Sequence, residues 1–484
     1  MTGAARARGR RRVASRAFAA WILAASLLIA TRTAVAAPPA ASATTLIVPP
    51  EKHTLGIYRA TDFHLKLFTG PKSRFQNPQG IACVKLTRLD DPNRTADDDE
   101  LTVYGVNADE PSIIYNDTMT SVKIWRGPMR NPRGIAADPL GRVVVADTGN
   151  DRLLLLQNDR GRLELSKTIG SSGSGPGQFR APTGVALDSR GQIYVTDTGN
   201  NRVQILDRAG GFVRELPPPP SAPQTSGAGA GGAASIASTA NTSGVAFVGP
   251  TAIAVVDRGE PWSFRKIDRI VVVDRGGKRL QSFDGDGKLL HTFADSTVDG
   301  PSFAYIALDY HNNVFATDSR HSQIHKLDES LRRVASVGRQ GTDDLEFDAP
   351  TGIAIWRRLG QFFIAEKTGA QYYWLGTDLL ETTVRPFAFS PGETQEVRYV
   401  LTERSTMTAQ VLDDDDNVVR TLLPERYQEI GAHTIEWDGR GNDRSPLEPG
   451  SYRVLLAARA TYSSRKHFER EKKLPIEIRA GESP

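Results

Sequence analysis

Apolar and polar residues alternate in short runs along most of the chain, and the clearest run is Pro182 to Leu216. Val185-Ala186-Leu187 reads as a strand, and Asp188-Ser189-Arg190-Gly191 as a turn whose glycine tolerates positive φ. Ile193-Tyr194-Val195 is the next strand. Asp197-Thr198-Gly199-Asn200 turns the chain back into Arg202 to Leu206. A turn at Arg208 to Gly211 then leads to an outer strand, Phe212-Val213-Arg214. The period of two marks half-buried strands. Such a four-stranded unit has an apolar face and no partner of its own, so it must stack against copies of itself.

The copies are present. Asn131 to Asp138, followed by Val143 to Arg152, repeats the plan, with Gly134 and Gly184 50 residues apart. Across the chain the equivalent positions are Gly80, Gly134, Gly184, Ala252, Tyr305 and Gly352, at steps of 54, 50, 68, 53 and 47. The longest step contains residues 217–244, rich in Pro, Gly, Ala and Ser, which reads as a disordered surface loop. An acidic insertion, Asn93 to Glu100, interrupts the first unit. Residues 53–68 look like the second half of a unit, a returning strand and an outer strand, placed before any first half. Pairing this segment into the last unit would remove the last open edge.

In units two and three the pattern P-x-G-[IV]-A, D-x-x-G, V-x-D-T-G-N-[DN]-R closely resembles the NHL repeat. Six units and a spare half then imply an all-β fold, a six-bladed β-propeller of NHL type over residues 53–376. From Thr377 the strands are joined by short turns and imply a small immunoglobulin-like β-sandwich over 377–484. The turn Trp437 to Asn442, with Pro449 to Tyr452 and the hairpin around Asp413, resembles the immunoglobulin-like module of the flagellar hook-capping protein family. That module occurs on many exported bacterial proteins and does not imply a flagellar role.

The N-terminus changes the reading of charge. Residues 1–36 have an Arg-rich start, an apolar run from Ala17 to Ala30 and an Ala34-Val35-Ala36 cleavage signal, the plan of a secretory signal peptide. The run is short for a membrane span; an uncleaved anchor is the alternative. Residues 37–52 are a Pro-rich linker. The chain has 60 basic and 56 acidic residues; seven Arg and no acids fall in residues 1–36, leaving 53 against 56, a net of −3. A nucleic-acid partner loses its compositional support. The single cysteine, Cys83, excludes an intramolecular disulfide and reads as a small buried hydrophobe.

The candidate chemistry sits on the turns. Asp147 and Asp197 are placed to accept amides of their own turns, Gly149 and Gly199 to supply a left-handed backbone, and Asn150 and Asn200 to complete the repeat. Arg152 and Arg202 start the returning strands and face a carboxylate of a neighbouring blade. These turns ring one face of a propeller, where ligands bind, so Arg152 and Arg202 join the departures from the repeat, Tyr305, His321 and Glu366, as candidate ligand contacts. His321 and His325 have an i, i+4 spacing that suits zinc on a helix. On a strand they would stand about 13 Å apart, and no metal site is assigned. Asp413 to Asn417 lacks calcium-loop spacing and reads as a solvated turn. No nucleophile elbow or phosphate loop is present.

These features point to an exported non-catalytic binding or scaffold protein that presents a propeller face to a protein, peptide or glycan at or outside the cell envelope. The location is periplasmic, cell-surface or extracellular, with no membrane span after signal cleavage and no cofactor. The alternative is a metal-dependent propeller enzyme of lactonase or lyase type with a divalent ion in the channel. Calcium enters only under that reading.

Overall fold

A computed structural model describes residues 47–48, 59–89, 101–116, 121–216, 246–295, 297–390, 392–461 and 469–480. The signal peptide (1–36), most of the linker (37–52), the acidic insertion (93–100) and the loop at 217–244 lie outside the described residues.

The repeat becomes six antiparallel sheets. The first blade has strands Pro78–Lys85, Leu101–Asn107, Ser112–Asn116 and Val122–Trp125. The second has Ile135–Ala137, Arg142–Asp147, Arg152–Asp159 and Arg162–Ile169. The third, Pro182–Leu187, Ile193–Asp197, Arg202–Leu206 and Phe212–Leu216, follows the alternation read from the sequence. The fourth runs from Ala252–Val256 to Leu289–Ala294 and the fifth from Phe303–Leu308 to Arg333–Val337, each with four strands in chain order. The first strand of each blade touches the first strand of the next, and the sixth returns to the first. Val143, Val145, Leu154 and Leu156 of blade two, all essentially inaccessible, pack on Tyr104 and Ile113 of blade one. Burying each such side chain contributes roughly 1.5–3 kcal/mol.

Closure uses the N-terminus. The sixth blade has only Ile353–Trp356, Gln361–Glu366 and Gly369–Leu375 from its own stretch of chain, and Arg59–Thr61 and Ile47–Val48 both pair antiparallel to Gly369–Leu375. Of the segment read as half a repeat, residues 53–58 lie outside the described residues. Asp62–Thr69 is an α-helix, not an outer strand. Thr61 starts it: its backbone N–H donates to His64 Nδ1 at 3.3 Å, and its hydroxyl meets the same nitrogen at 3.0 Å. Ile47, inside the expected linker, is buried in the core of the sixth blade.

The sandwich comprises a sheet of Leu379–Arg385, Gln395–Leu401 and Gly431–Trp437, and a sheet of Ala388–Phe389, Glu469–Ile478, Gly450–Ala460, Ser405–Leu412 and Val418–Gln428. Tyr399, Met407, Val411, Trp437 and Leu456 form its core. Residues Thr45 to Pro484 make one compact unit. The last blade strand ends at Leu375 and the first sandwich strand begins at Leu379.

The closing strand is fastened by charge as well as by its ladder. Arg59, directly opposite Gln371, reaches Glu366 Oε1 at 3.3 Å and donates to the Glu346 carbonyl at 2.9 Å. Glu366 is 1% exposed. Replacing Arg59 with Met leaves that carboxylate without its cation and should cost about 2–4 kcal/mol. Urea unfolding of R59M reads this directly; a loss under about 0.5 kcal/mol would show that the pair does not hold the ring closed.

Candidate binding face

Six inner strands run the same way around one axis. The turns between second and third strands, and the segments entering each inner strand, therefore share one face, here the entry face. Each second strand ends on a polar residue: Asn107, Asp147, Asp197, Asp274, Asp318 and Glu366. In five blades that side chain accepts the backbone N–H of the entering segment, from Gln76, Arg130, Arg180, Val248 and Asp348 at 2.7–3.1 Å. The sequence reading had Asp147 and Asp197 serving their own turn amides. The entering segment outcompetes them because it would otherwise leave an amide unpaired beside a buried carboxylate.

The rest of the D-T-G-N motif is accounted for by the same node. Asn150 and Arg152 both donate to Asp147 Oδ2, at 2.9 and 2.8 Å, and Asn200 and Arg202 donate to Asp197 Oδ2 at 2.8 and 2.9 Å. The arginines thus pair within their own blade, across the ladder positions 147 to 152 and 197 to 202, and not with a neighbouring one. Arg152 also donates to the Pro128 carbonyl, and Arg202 to the carbonyls of Gly175 and Gln178 and to the Glu215 carboxylate of its own blade at 3.1 Å. Thr148 and Thr198 donate to the carbonyls of Pro182 and Pro250 in the next blade, each at 2.7 Å. The left-handed residues are Asp151 and Asn201, at φ 53° and 54°. Gly149 and Gly199 are needed for close approach instead: a Cβ on Gly149 would lie 2.7 Å from Arg130 Cγ.

Departures from the motif cluster in blades five and six. At the position held by arginine in blades two to four, blade five has Gln323 and blade six Gly369, and Gln371 of blade six corresponds to Gln204 of blade three. In blade six, Arg59 of the closing strand supplies the missing cation and Gln371 Nε2 donates to Glu366 at 2.8 Å. In blade five two histidines replace the arginine: His321 Nδ1 lies 2.7 Å and His325 Nε2 3.3 Å from Asp318 Oδ2. The 13 Å separation expected of a strand does not apply, because His321 precedes the left-handed turn at Ser322 and folds back over it. His325 Nδ1 also meets Ser336 Oγ at 2.7 Å.

The axis is polar at both ends. Near the entry face, Arg133 Nη1 donates to Gln79 Oε1 at 3.1 Å and the Tyr305 hydroxyl approaches the same oxygen at 3.5 Å. Burial pushes the Tyr305 phenol above its ordinary range, with Arg133 opposing. Tyr305 takes the place where Gly134 and Gly352 let adjacent inner strands touch; a Cβ on Gly352 would lie 2.2 Å from the Gln79 carbonyl. At the other end Arg357 donates to the carbonyls of Leu308 and Val255, spanning two further blades, and lies 3.5 Å from Glu260. Burial pushes the Cys83 thiol up to about 12 against the nearby Arg357, so it stays a neutral thiol. Among the described residues, no group of three or more His, Cys, Asp or Glu side chains is assembled to hold a metal ion.

Sequence reasoning did not find the site where the sandwich meets the fifth blade. Lys326, fully buried, is ion-paired with Glu403 of the sandwich and lies 3.7 Å from Asp309. His311 Nε2 is 3.7 Å from Glu403 and 3.3 Å from the Thr461 hydroxyl. Burial pushes the Glu403 carboxyl up, while Lys326 pulls it down. Beside this cluster a cavity of about 180 Å³ is lined by both lobes, including Phe264, Arg332, Arg404 and Glu429. A lysine within an alternating strand carried the only signal: Lys326 sits in Gln323–Leu327 at a position buried on both sides.

The comparisons with known proteins follow this division. The NHL repeat model matches residues 129–154 and 179–206, and the FlgD Ig-like domain model matches 384–461. No curated protein matches the chain. Among solved structures, a streptogramin B lyase is 13% identical over 63% of this chain and 96% of its own, with a TM-score of 0.40. A gluconolactonase, XC5397 of Xanthomonas campestris, is 13% identical over 68% of this chain and 97% of its own, at 0.40. A chain of a nidogen/laminin complex is 16% identical over 54% and 80%, at 0.36.

Two outcomes follow from these geometries. Burial alone would raise the Asp318 carboxyl, but hydrogen bonds from His325 and His321 outweigh it and bring it down to about 2. A depressed carboxylate contributes stability above its unfolded value, near 3.9, and loses it as pH falls through the folded value. Asp318→Asn should therefore be less stable than the parent at neutral pH by about 2 kcal/mol, with the gap closing between roughly pH 4 and pH 2. Thermal unfolding across that range tests it; a gap that stays constant refutes the node. At the junction, Lys326→Met leaves Asp309 and Glu403 buried without their cation, and urea unfolding should show a loss of about 3–5 kcal/mol. An unchanged midpoint would mean that the two lobes do not depend on the pair.

Proposed function

We propose that this chain, which carries NHL repeats and a FlgD Ig-like domain, is an exported non-catalytic binding or scaffold protein. Its entry face meets a protein, peptide or glycan at or outside the cell envelope, and the sandwich fixes how that face is presented. The observation that carries this reading is the composition of the axis. Its polar groups are Arg133, Gln79 and Tyr305 at one end and Arg357 at the other. The Arg133 cation opposes a divalent ion at the entry end by like charge, Arg357 at the other end stands beside Glu260, and the second-strand carboxylates are already bonded by their own blades.

Of the residues singled out for ligand contact, Arg152, Arg202 and Glu366 are engaged by the fold. Tyr305 and His321 remain the better candidates; His321 also bonds Asp318 but is 32% exposed. Among the described residues, no helix is long and apolar enough to cross a membrane.

The test combines metal analysis with a binding assay. Purified protein should hold no stoichiometric divalent ion after dialysis, and calcium should not raise its melting temperature. Tyr305→Phe should weaken capture of envelope material by the immobilised protein while leaving the melting temperature nearly unchanged; His321→Ala should weaken capture too, with a lower melting temperature because it removes one of the two histidines bonded to Asp318. A tightly held ion, with hydrolytic or lyase activity that follows it, would move the chain to the enzyme class.

A further inference from the structure

The helix Asp62–Thr69 carries its apolar residues on the side away from the fold. Leu65 is 2% exposed and seats the helix on the propeller. At about 100° per residue, Phe63 and Leu67 point roughly 160° away from Leu65. They are 71% and 69% exposed, and Phe68 is 50% exposed. A helix that serves packing alone has polar residues at these positions. The helix joins the closing strand Arg59–Thr61 to the entry of the first blade and touches Val122–Trp125, so the ridge stands on the rim of the entry face.

The charges on the helix are paired, and those beyond it are basic. Asp62 is engaged, accepting the Phe75 N–H at 2.8 Å and lying 3.6 Å from Lys66. Beyond the helix, Lys72 and Arg74 are exposed, and among the described residues neither has a carboxylate within ion-pairing distance. The nearby acids are committed: Asp109 accepts from Asn77, and Glu110 pairs with Arg126.

We propose that this helix and the turn after it dock the propeller onto an anionic lipid surface. Phe63, Leu67 and Phe68 enter the headgroup region, and Lys72 and Arg74 meet the lipid phosphates. Bulky apolar side chains beside unpaired cations are the composition that interfacial helices use. A protruding ridge fits a deformable surface, and the two cations select a negative one. The apolar run Ala17 to Ala30 lies upstream in the same chain, which the sequence reading sends to a membrane for export. The contact is on the rim and does not depend on what the ring of turns binds.

The experiment is co-sedimentation with vesicles of phosphatidylcholine, with and without phosphatidylglycerol. The chain lacking residues 1–36 is used, because that segment would itself partition; the compact unit Thr45–Pro484 is retained whole. Binding is expected to phosphatidylglycerol vesicles and to fall several-fold without the anionic lipid or at high salt. Phe63→Ser with Leu67→Ser should reduce it by about tenfold, and Lys72→Glu with Arg74→Glu should reduce only the anionic component. All four side chains are exposed, so unchanged thermal unfolding confirms that the variants fold. The proposal is overturned if the parent does not bind the anionic vesicles or if binding survives both pairs of substitutions. It is also overturned by a dimer in solution that F63S/L67S abolishes, because a second copy would then cover the ridge. A soluble acidic polysaccharide held equally well by parent and F63S/L67S, with no vesicle binding, overturns it too.

Discussion

Each blade buries its faces only against its two neighbours, so the structure depends on closing the ring. An open ring would expose two apolar sheet faces and a run of unpaired strand edge. The chain meets this constraint by sending its N-terminal strands back to the last blade. Among the described residues their backbone ladder comprises Ile47–Val48 and Arg59–Thr61. The Arg59 contact with Glu366 and the burial of Ile47 add to that closure.

The carboxylate at the end of each second strand extends the same logic around the ring. In blades two and three it gathers an entering amide, an asparagine and an arginine, while the adjacent threonine reaches into the next blade. One node thus ties strand to strand and blade to blade. Buried carboxylates are costly without partners, which is why arginine, paired histidines or a borrowed arginine appear wherever the carboxylate is kept. In blade one the residue is Asn107, and the cation is dispensed with.

The sandwich is joined to the propeller through charges rather than through a continuous apolar core. Lys326, Asp309 and Glu403 are almost wholly buried, and His311 nearly so. Arg404 lies over the ring of Phe264 at 4.2 Å, extending the contact across the junction. Such a contact has strict geometry, because an ammonium between two carboxylates tolerates little displacement. The sandwich therefore meets blade five at the end opposite the turns, through Asp309, His311 and Lys326.

The alternation of apolar residues and the repeated glycines determined the fold class, the six units and the second, sandwich-like region, because strand period and turn chemistry are local properties. The same reasoning identified Asp147, Asp197, Arg152 and Arg202 as important without identifying their partners. Gly149 looked like a source of positive φ and is a site of close approach; His321 and His325 looked too distant to meet and share one oxygen. In each case the deciding contact is with chain far away in sequence or folded back by a turn, and no local pattern encodes it. The helix at Asp62 shows the limit well, since its residues alternate as a strand would until Thr61 caps it. The junction at Lys326 was invisible for the same reason. A lysine in a strand reads as solvated until the fold brings Glu403 to it, and only the tertiary structure decides which buried charge meets which.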